Sequence, residues 1–169
     1  MGFFDKLFGK AAKNEPKFAG AAMTVMAPLD GTVLAQEQIP DETFATGILG
    51  PGCGIEPTGD TVYAPFDGTV NQVADTLHAV GMESDDGIEL LIHVGMDTVE
   101  MKGQGFTALV KEGDKVKAGT PLLKIDLNAI RAAGHPTATA IVVTNGDDLA
   151  EMKVVAEGNV TAGTPLIKF

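Results

Sequence analysis

Apolar positions in this chain come in short bursts, cut by Gly, Pro, Asp-Gly and Ala-Gly-Thr-Pro. Runs over 54–57, 60–64, 69–74, 87–94, 105–110 and 138–144 read as strands separated by turn residues. Short strands at close spacing predict an antiparallel sandwich or barrel. Two segments repeat almost residue for residue: Ala27-Pro28-Leu29-Asp30-Gly31-Thr32-Val33 and Ala64-Pro65-Phe66-Asp67-Gly68-Thr69-Val70. A second pair also matches, Val116-Lys117-Ala118-Gly119-Thr120-Pro121-Leu122 and Val160-Thr161-Ala162-Gly163-Thr164-Pro165-Leu166. The β elements are therefore duplicated within one chain. One internal helix is predicted over 126–133, with Asp126 as its N-cap and Gly134 ending it. A further turn is expected within 147–152.

The first residues behave differently. Phe3, Phe4, Leu7, Phe8 and Ala11 form one apolar stripe at helical spacing. Lys6, Lys10, Lys13 and Lys17 outnumber Asp5 and Glu15 there, on a chain whose net charge is −11. A basic, Phe-rich amphipathic tail over 1–18 reads as a weak anchor for an anionic membrane surface; the alternative is a terminal helix packed on its own domain. Residues 14–22 read as a short linker, leaving 19–169 as a single domain. No apolar run is long enough to span a bilayer, and Asp5, Lys6 and Lys10 interrupt any secretory h-region. The expected location is the cytoplasm, peripheral at the inner membrane if the tail anchors.

Composition narrows the partners. The 21 Gly and 9 Pro are about 18% of the chain against roughly 12% on average, which favours turns over long helices. An excess of 23 acidic over 12 basic residues leaves no basic stripe for a phosphate backbone, so nucleic acid is a poor partner. The one cysteine, Cys53, excludes an internal disulfide and reads as a core residue.

Candidate chemistry lies in the three histidines, His78, His93 and His135. A strand through 89–94 puts Leu91 and His93 on one face and Leu90, Ile92 and Val94 on the other. A strand through 76–80 groups Thr76, His78 and Val80. If 76–82 and 88–94 pair across the Asp86-Gly87 turn, the two imidazoles meet on one face. A single histidine on an apolar strand is ordinarily a hydrogen-bonded core residue without chemistry. A pair beside a hydroxyl (Thr76) and a carboxylate (Asp97) can instead bind zinc or carry a phosphoryl group. Phosphoryl transfer needs one neutral imidazole nitrogen as nucleophile and the other held as N–H. No Walker-type glycine loop is present, so a nucleotide is not the expected donor. His135, in Gly134-His135-Pro136, reads as a surface turn residue.

Several of these motifs together resemble the glucose-family enzyme IIA of the bacterial phosphoenolpyruvate:sugar phosphotransferase system. They are Ala27-Pro28-Leu29-Asp30-Gly31, Ile55-Glu56-Pro57-Thr58-Gly59, Thr76-Leu77-His78-Ala79, Leu91-Ile92-His93-Val94-Gly95-Met96-Asp97-Thr98-Val99-Glu100 and Val142-Val143-Thr144-Asn145. The resemblance runs from about Thr24 to the C-terminus, and the first ten residues resemble the free-standing form with its amphipathic tail. It implies an all-β, jelly-roll-like antiparallel sandwich. It implies that His93 accepts phosphate on Nε2 from phospho-HPr and passes it to a cysteine of a sugar-specific IIB domain. His78 is then expected to bind that phosphate and to be needed for onward transfer. Thr76 would orient the histidines, and Asp97 would repel the phosphate. The resemblance also makes His78 and His93 candidate zinc ligands, completed only by a partner's carboxylate, with no obligatory cofactor. The docking patch it implies comprises Ile39, Phe44, Ile48, Leu49 and Val80. Regulated permeases or kinases are further implied partners.

Three other readings compete. A regulatory binding module of the same fold would use the same face without transfer. A zinc hydrolase of related duplicated architecture needs a His-x-His pair, and none is present. A swinging-arm carrier would modify Lys153 in Met152-Lys153, but only sixteen residues follow it.

Overall fold

The duplicated turns prove to be the joints of a two-layered sandwich, a computed structural model of which describes residues 16–169. The apolar stripe of the tail lies outside the described residues. The strands are β1 (Thr24–Met26), β2 (Gly31–Leu34), β3 (Gly52–Pro57), β4 (Thr61–Tyr63), β5 (Gly68–Val73), β6 (Ala79–Ser84) and β7 (Glu89–His93). They continue with β8 (Phe106–Ala108), β9 (Lys115–Val116), β10 (Pro121–Ile125), β11 (Thr139–Val143), β12 (Lys153–Val154), β13 (Asn159–Val160) and β14 (Pro165–Lys168). Two short α-helices, α1 (Glu42–Ala45) and α2 (Leu127–Ala132), interrupt them.

One large sheet has the order β13-β2-β3-β11-β7-β6-β5-β9, and two small sheets have the orders β1-β14-β12 and β4-β10-β8. The strand pairings are antiparallel. The order of the large sheet is palindromic. The repeated segments β2 and β5 occupy matching places, the strands before the two Ala-Gly-Thr-Pro turns form the two edges, and β11 and β7 meet at the centre.

The hydrogen bonds of the turns repeat as well. The Asp30 carboxylate accepts from the Ala162 N–H at 2.7 Å, and the Asp67 carboxylate accepts from the Ala118 N–H at 2.8 Å. The Ala27 and Ala64 N–H groups donate to the carbonyls of Thr164 and Thr120 at 2.7 and 2.8 Å. Each Asp therefore clamps its own turn onto the opposite layer, satisfying backbone donors that would otherwise be lost to water. Residues expected in the tail also reach these joints. Phe18 packs on Tyr63 with ring centroids 5.9 Å apart, and Gly119 and Gly163 lack the Cβ that would strike Phe18 and Lys17.

Alternation along the strands separates two faces. Cys53, Ile55, Val70, Val80, Met82, Leu90, Ile92, Ile141 and Val143 turn inward, and meet Val25, Val62, Leu122, Leu123 and Ile167 from the small sheets. The opposite face of the large sheet carries a separate small cluster, Ile39, Phe44, Met96, Ala140 and Val142, with Leu91 against it. That second cluster surrounds His93. The predicted helix is present with its predicted cap: the Asp126 side chain accepts from the Ala129 N–H at 3.0 Å, and Gly134 follows at φ 84°. Within 147–152 the expected turn is a 3-10 turn over Gly146–Asp148.

One expectation is corrected. The strand begins only at Ala79, and residues 76–78 do not share its alternation. Leu77 sits in the left-handed region at φ 63° and its N–H donates to the Ala74 carbonyl at 2.8 Å, forming a tight turn. Thr76, His78 and Val80 thus do not share a strand face. Val80 points into the main core, and His78 swings over the outer face.

Candidate functional site

His93 stands at the end of a central strand. Its backbone register places Ala79 on one side and Ala140 on the other, so small side chains flank the imidazole. The space above them is filled by two rings. Phe44, carried by α1, lies 4.8 Å from the His93 ring centroid at a tilt of 50°, and His78 lies 4.8 Å away nearly edge-on at 83°. The His78 carbonyl accepts from the Val94 N–H at 2.8 Å, extending the β6–β7 ladder and fixing the two segments together. The hairpin pairing expected from sequence therefore does bring the imidazoles together, although through a turn and not through a continuous strand.

Each imidazole has one nitrogen committed. Nδ1 of His93 lies 2.8 Å from the Gly95 carbonyl. A carbonyl only accepts, so Nδ1 carries the proton and Nε2 keeps its lone pair. Nδ1 of His78 lies 2.8 Å from the Thr76 hydroxyl, which can donate or accept. Burial pushes His93 down to about 4, helped by the neighbouring His78, against the hydrogen bond it donates to the Gly95 carbonyl and the charge of Asp41. Burial also lowers His78, with a hydrogen bond to the Thr76 backbone working the other way. At neutral pH His93 is an uncharged imidazole, the form a nucleophile needs.

The loop after His93 is tightly constrained. Gly95 has φ 72°, and a Cβ there would lie 2.5 Å from the Thr98 methyl and 2.9 Å from the Pro136 carbonyl. Pro136 in turn accepts from the Met96 N–H at 3.0 Å, and Thr98, fully buried, donates to the Val94 carbonyl at 2.6 Å. Asp97 is exposed at φ 58° and heads the 3-10 turn Thr98–Met101 without its side chain capping it. Leu77, Asp97 and Lys102 are three of the four non-glycine residues with positive φ among the described residues. Backbone strain is thus gathered around the histidine pair.

The expected docking patch divides. Ile48 is 77% exposed and Leu49 38% exposed, and Val99, in the turn after Asp97, is 52% exposed. Ile39 and Val80 offer no surface. Ile39 lies on Gly54, whose missing Cβ makes room for it, and Val80 faces the main core by strand alternation. Phe44 is 5% exposed, its ring spent on His93. Cys53 is buried in the core with its thiol pushed up to about 12 by desolvation, as a structural cysteine would be. His135 is a correction: its side chain is mostly covered, with Nε2 3.8 Å from the Glu100 carboxylate.

Two contributors were missed from sequence. Asp41, N-cap of α1 through its acceptance from the Thr43 N–H at 2.8 Å, acts electrostatically on His93. Pro40-Asp41-Glu42 ahead of an apolar residue is a helix-start signal that points to it. The Gly95 carbonyl fixes the His93 tautomer, and a glycine at the end of a strand pattern is the trace it leaves. For zinc, the two histidines offer two donors. Among the described residues no group of three His, Cys, Asp or Glu is arranged for a metal, so the chain does not by itself fit a four-coordinate centre.

Fold and site together define a duplicated β-sandwich whose reactive feature is a neutral histidine pair on the outer face of its central sheet. The profile of the phosphoenolpyruvate-dependent sugar phosphotransferase system EIIA 1 family matches residues 23–149. A glucose-specific EIIA component of Halalkalibacterium halodurans is 46% identical over 95% of this chain and 93% of its own length. A beta-glucoside-specific EIIBCA component of Dickeya chrysanthemi is 48% identical over 86% of this chain, which spans 23% of that longer protein. The glucose permease IIA structure from Mycoplasma capricolum superposes with a TM-score of 0.80 at 31% identity, covering 90% of this chain and 98% of that one. The chain belongs to the EIIA family of the sugar phosphotransferase system. Among the described residues no helix is long and apolar enough to cross a membrane.

Proposed function

We propose that this chain is a phosphohistidine carrier that accepts phosphate from phospho-HPr on His93 and hands it to a cysteine of a sugar-specific IIB domain. The observation that carries this reading is the hydrogen bond from His93 Nδ1 to the Gly95 carbonyl, which leaves Nε2 as the nucleophile. The Nε2 lone pair attacks phosphorus; the N–P bond forms as the bond to HPr breaks, and HPr leaves with that electron pair. In the second step the IIB thiolate attacks phosphorus, and the N–P pair returns to Nε2. His78 is the phosphate's neighbour: with the Thr76 hydroxyl donating to its Nδ1, its Nε2–H is free to donate to a phosphoryl oxygen. Asp97 is an exposed carboxylate two residues beyond the Gly95 carbonyl. Its charge destabilises the phosphorylated state and so favours release. Fusion of EIIA to EIIB in the Dickeya protein supports IIB as the receiver.

Ile48, Leu49 and Val99 are the apolar rim against which both partners dock. The membrane-facing tail lies within residues 1–18, ahead of Lys17 and Phe18, which pack on the 19–169 domain. Zinc enters only when a partner's carboxylate joins His78 and His93. Incubation with phosphoenolpyruvate, enzyme I and HPr, followed by intact-mass measurement, tests the reading. Wild type gains one acid-labile phosphate and His93→Gln gains none. No phosphate on folded wild type beside an active relay turns the reading to a binding module without transfer.

A further inference from the structure

The segment 41–50 forms the wall of the site. It carries the Phe44 ring over His93 and then exposes Ile48 and Leu49. Its own regular structure is one turn of helix, too short to hold its shape alone. Gly47 and Gly50 both have positive φ, at 78° and 133°, so the loop changes direction twice.

Phe44 packs the middle of the loop into the small outer cluster, and a single side chain from outside ties its two ends. The Gln36 carboxamide nitrogen donates to the Phe44 carbonyl at 3.0 Å and to the Gly50 carbonyl at 2.8 Å, and its oxygen accepts from the Gly52 N–H at 3.3 Å. Both N–H bonds and the acceptor of one amide are used on three backbone groups from the two ends of the loop. The pattern also fixes the orientation of the amide, because reversing it would set oxygen against two carbonyls. The backbone ties of the loop are local: Asp41 N–H to the Ile39 carbonyl at 2.8 Å, Gly47 N–H to the Phe44 carbonyl at 3.1 Å and Gly50 N–H to the Gly47 carbonyl at 3.0 Å.

We infer that Gln36 is a positioning residue of the phosphoryl relay: its amide clasps the 44–50 loop so that Phe44 covers His93 and Ile48 and Leu49 stand ready for the partner. The inference rests on the carrier reading above. Gln36 touches neither imidazole, and the His93 tautomer is held separately by Gly95. Loss of the clasp therefore weakens partner recognition more than the chemical step. A glutamate carries the same shape but no donors, and its oxygens face two carbonyls. A methionine leaves the Gly50 carbonyl and the Gly52 N–H without this partner, and the Phe44 carbonyl with only the Gly47 N–H.

The test is the rate of phosphate acceptance against phospho-HPr concentration for full-length wild type, Gln36→Glu and Gln36→Met. Leaving such groups unsatisfied in Gln36→Glu raises KM for phospho-HPr by about tenfold, with a much smaller change in the saturating rate. Gln36→Met gives a change in the same direction. A proton NMR spectrum supplies the second readout. The His93 ring signals lose the shift imposed by Phe44 in both variants, while those of core methyls such as Ile92 stay in place. If both variants keep the wild-type KM and the wild-type His93 signals, the clasp does not exist. If both the saturating rate and the core methyl signals collapse instead, Gln36 is merely structural and the positioning role is overturned. Failure of wild type itself to take phosphate overturns the carrier reading, which the variants do not touch.

Discussion

Gly95→Ala probes the one contact that decides which nitrogen of His93 reacts. Three consequences can be separated. The backbone at φ 72° costs a residue with a Cβ about 1–2 kcal/mol. The new methyl enters a space 2.5 Å from the Thr98 methyl and 2.9 Å from the Pro136 carbonyl, an overpacking of about 1–3 kcal/mol. Their sum, about 2–5 kcal/mol, lowers Tm by roughly 4–20 °C for a chain of this size. The chemical consequence is smaller and more specific. Relief of the clash rotates the Gly95 peptide and takes its carbonyl away from Nδ1. Loss of that hydrogen bond is worth about 1 kcal/mol, a factor of about five in favour of the reactive tautomer. Phosphate acceptance by quench-flow should fall measurably, by up to that factor, and nitrogen NMR should show the His93 proton shared with Nε2. Gly95→Ala with Thr98→Ser removes the methyl clash and keeps the Thr98 hydroxyl's bond to Val94. It should recover part of the stability and part of the rate. Wild-type acceptance together with an unchanged tautomer in Gly95→Ala would refute the reasoning, whatever its Tm.

Three further outcomes are expected. His93 is held at about 4 in the fold against about 6.5 in the unfolded chain. The native state then binds fewer protons than the unfolded one between those values, so stability is full above pH 6.5 and falls as pH drops toward 4. The loss attributable to this group is about 3 kcal/mol, so urea unfolding at pH 7 and pH 4.5 should show a smaller drop for His93→Gln than for wild type; equal drops would assign the burial penalty elsewhere. His78→Gln should take phosphate from phospho-HPr yet fail to discharge it to IIB, and normal discharge would show that His78 has no part in transfer. Asp30→Ala and Asp67→Ala should each lose about 1–2 kcal/mol in denaturant unfolding and by similar amounts, because their acceptor bonds to Ala162 and Ala118 are equivalent. A large inequality would show that the two joints are not equivalent in energy. The exposed Lys117–Asp67 pair at 3.7 Å adds little to the second.

The sandwich was legible where local chemistry and tertiary role agree. Asp-Gly and Ala-Gly-Thr-Pro are turn sequences and serve as turns, and Asp126 is a cap by residue type and by hydrogen bond. The alternation of 89–94 assigned Leu91 and His93 to the outer face and Leu90, Ile92 and Val94 to the core. Legibility ended where the chain leaves regular structure. The left-handed turn at Leu77 shifts His78 out of strand phase, which no periodicity reveals. The strand predicted over 54–57 starts two residues earlier, at Gly52, because its glycines let the neighbouring backbone and Ile39 close on the sheet. Ile39, which the resemblance places in the docking patch, is covered for the same reason, since it lies on Gly54 of that strand.

The duplication also accounts for where the site lies. The two repeated strands, β2 and β5, each lead to a hairpin partner, β3 and β6, that flanks the central pair β11 and β7. What differs is the connection. The first unit joins β2 to β3 through the long segment bearing α1, and the second joins β5 to β6 through the short turn bearing His78. Both connections cross toward the same outer face, and both deliver a ring 4.8 Å from His93, one apolar and one able to donate a proton. A symmetric pair of connections would have buried His93 between two equal walls. Their inequality leaves one wall for desolvation and makes the other a second imidazole whose proximity disfavours a proton on His93, the two causes that hold it neutral.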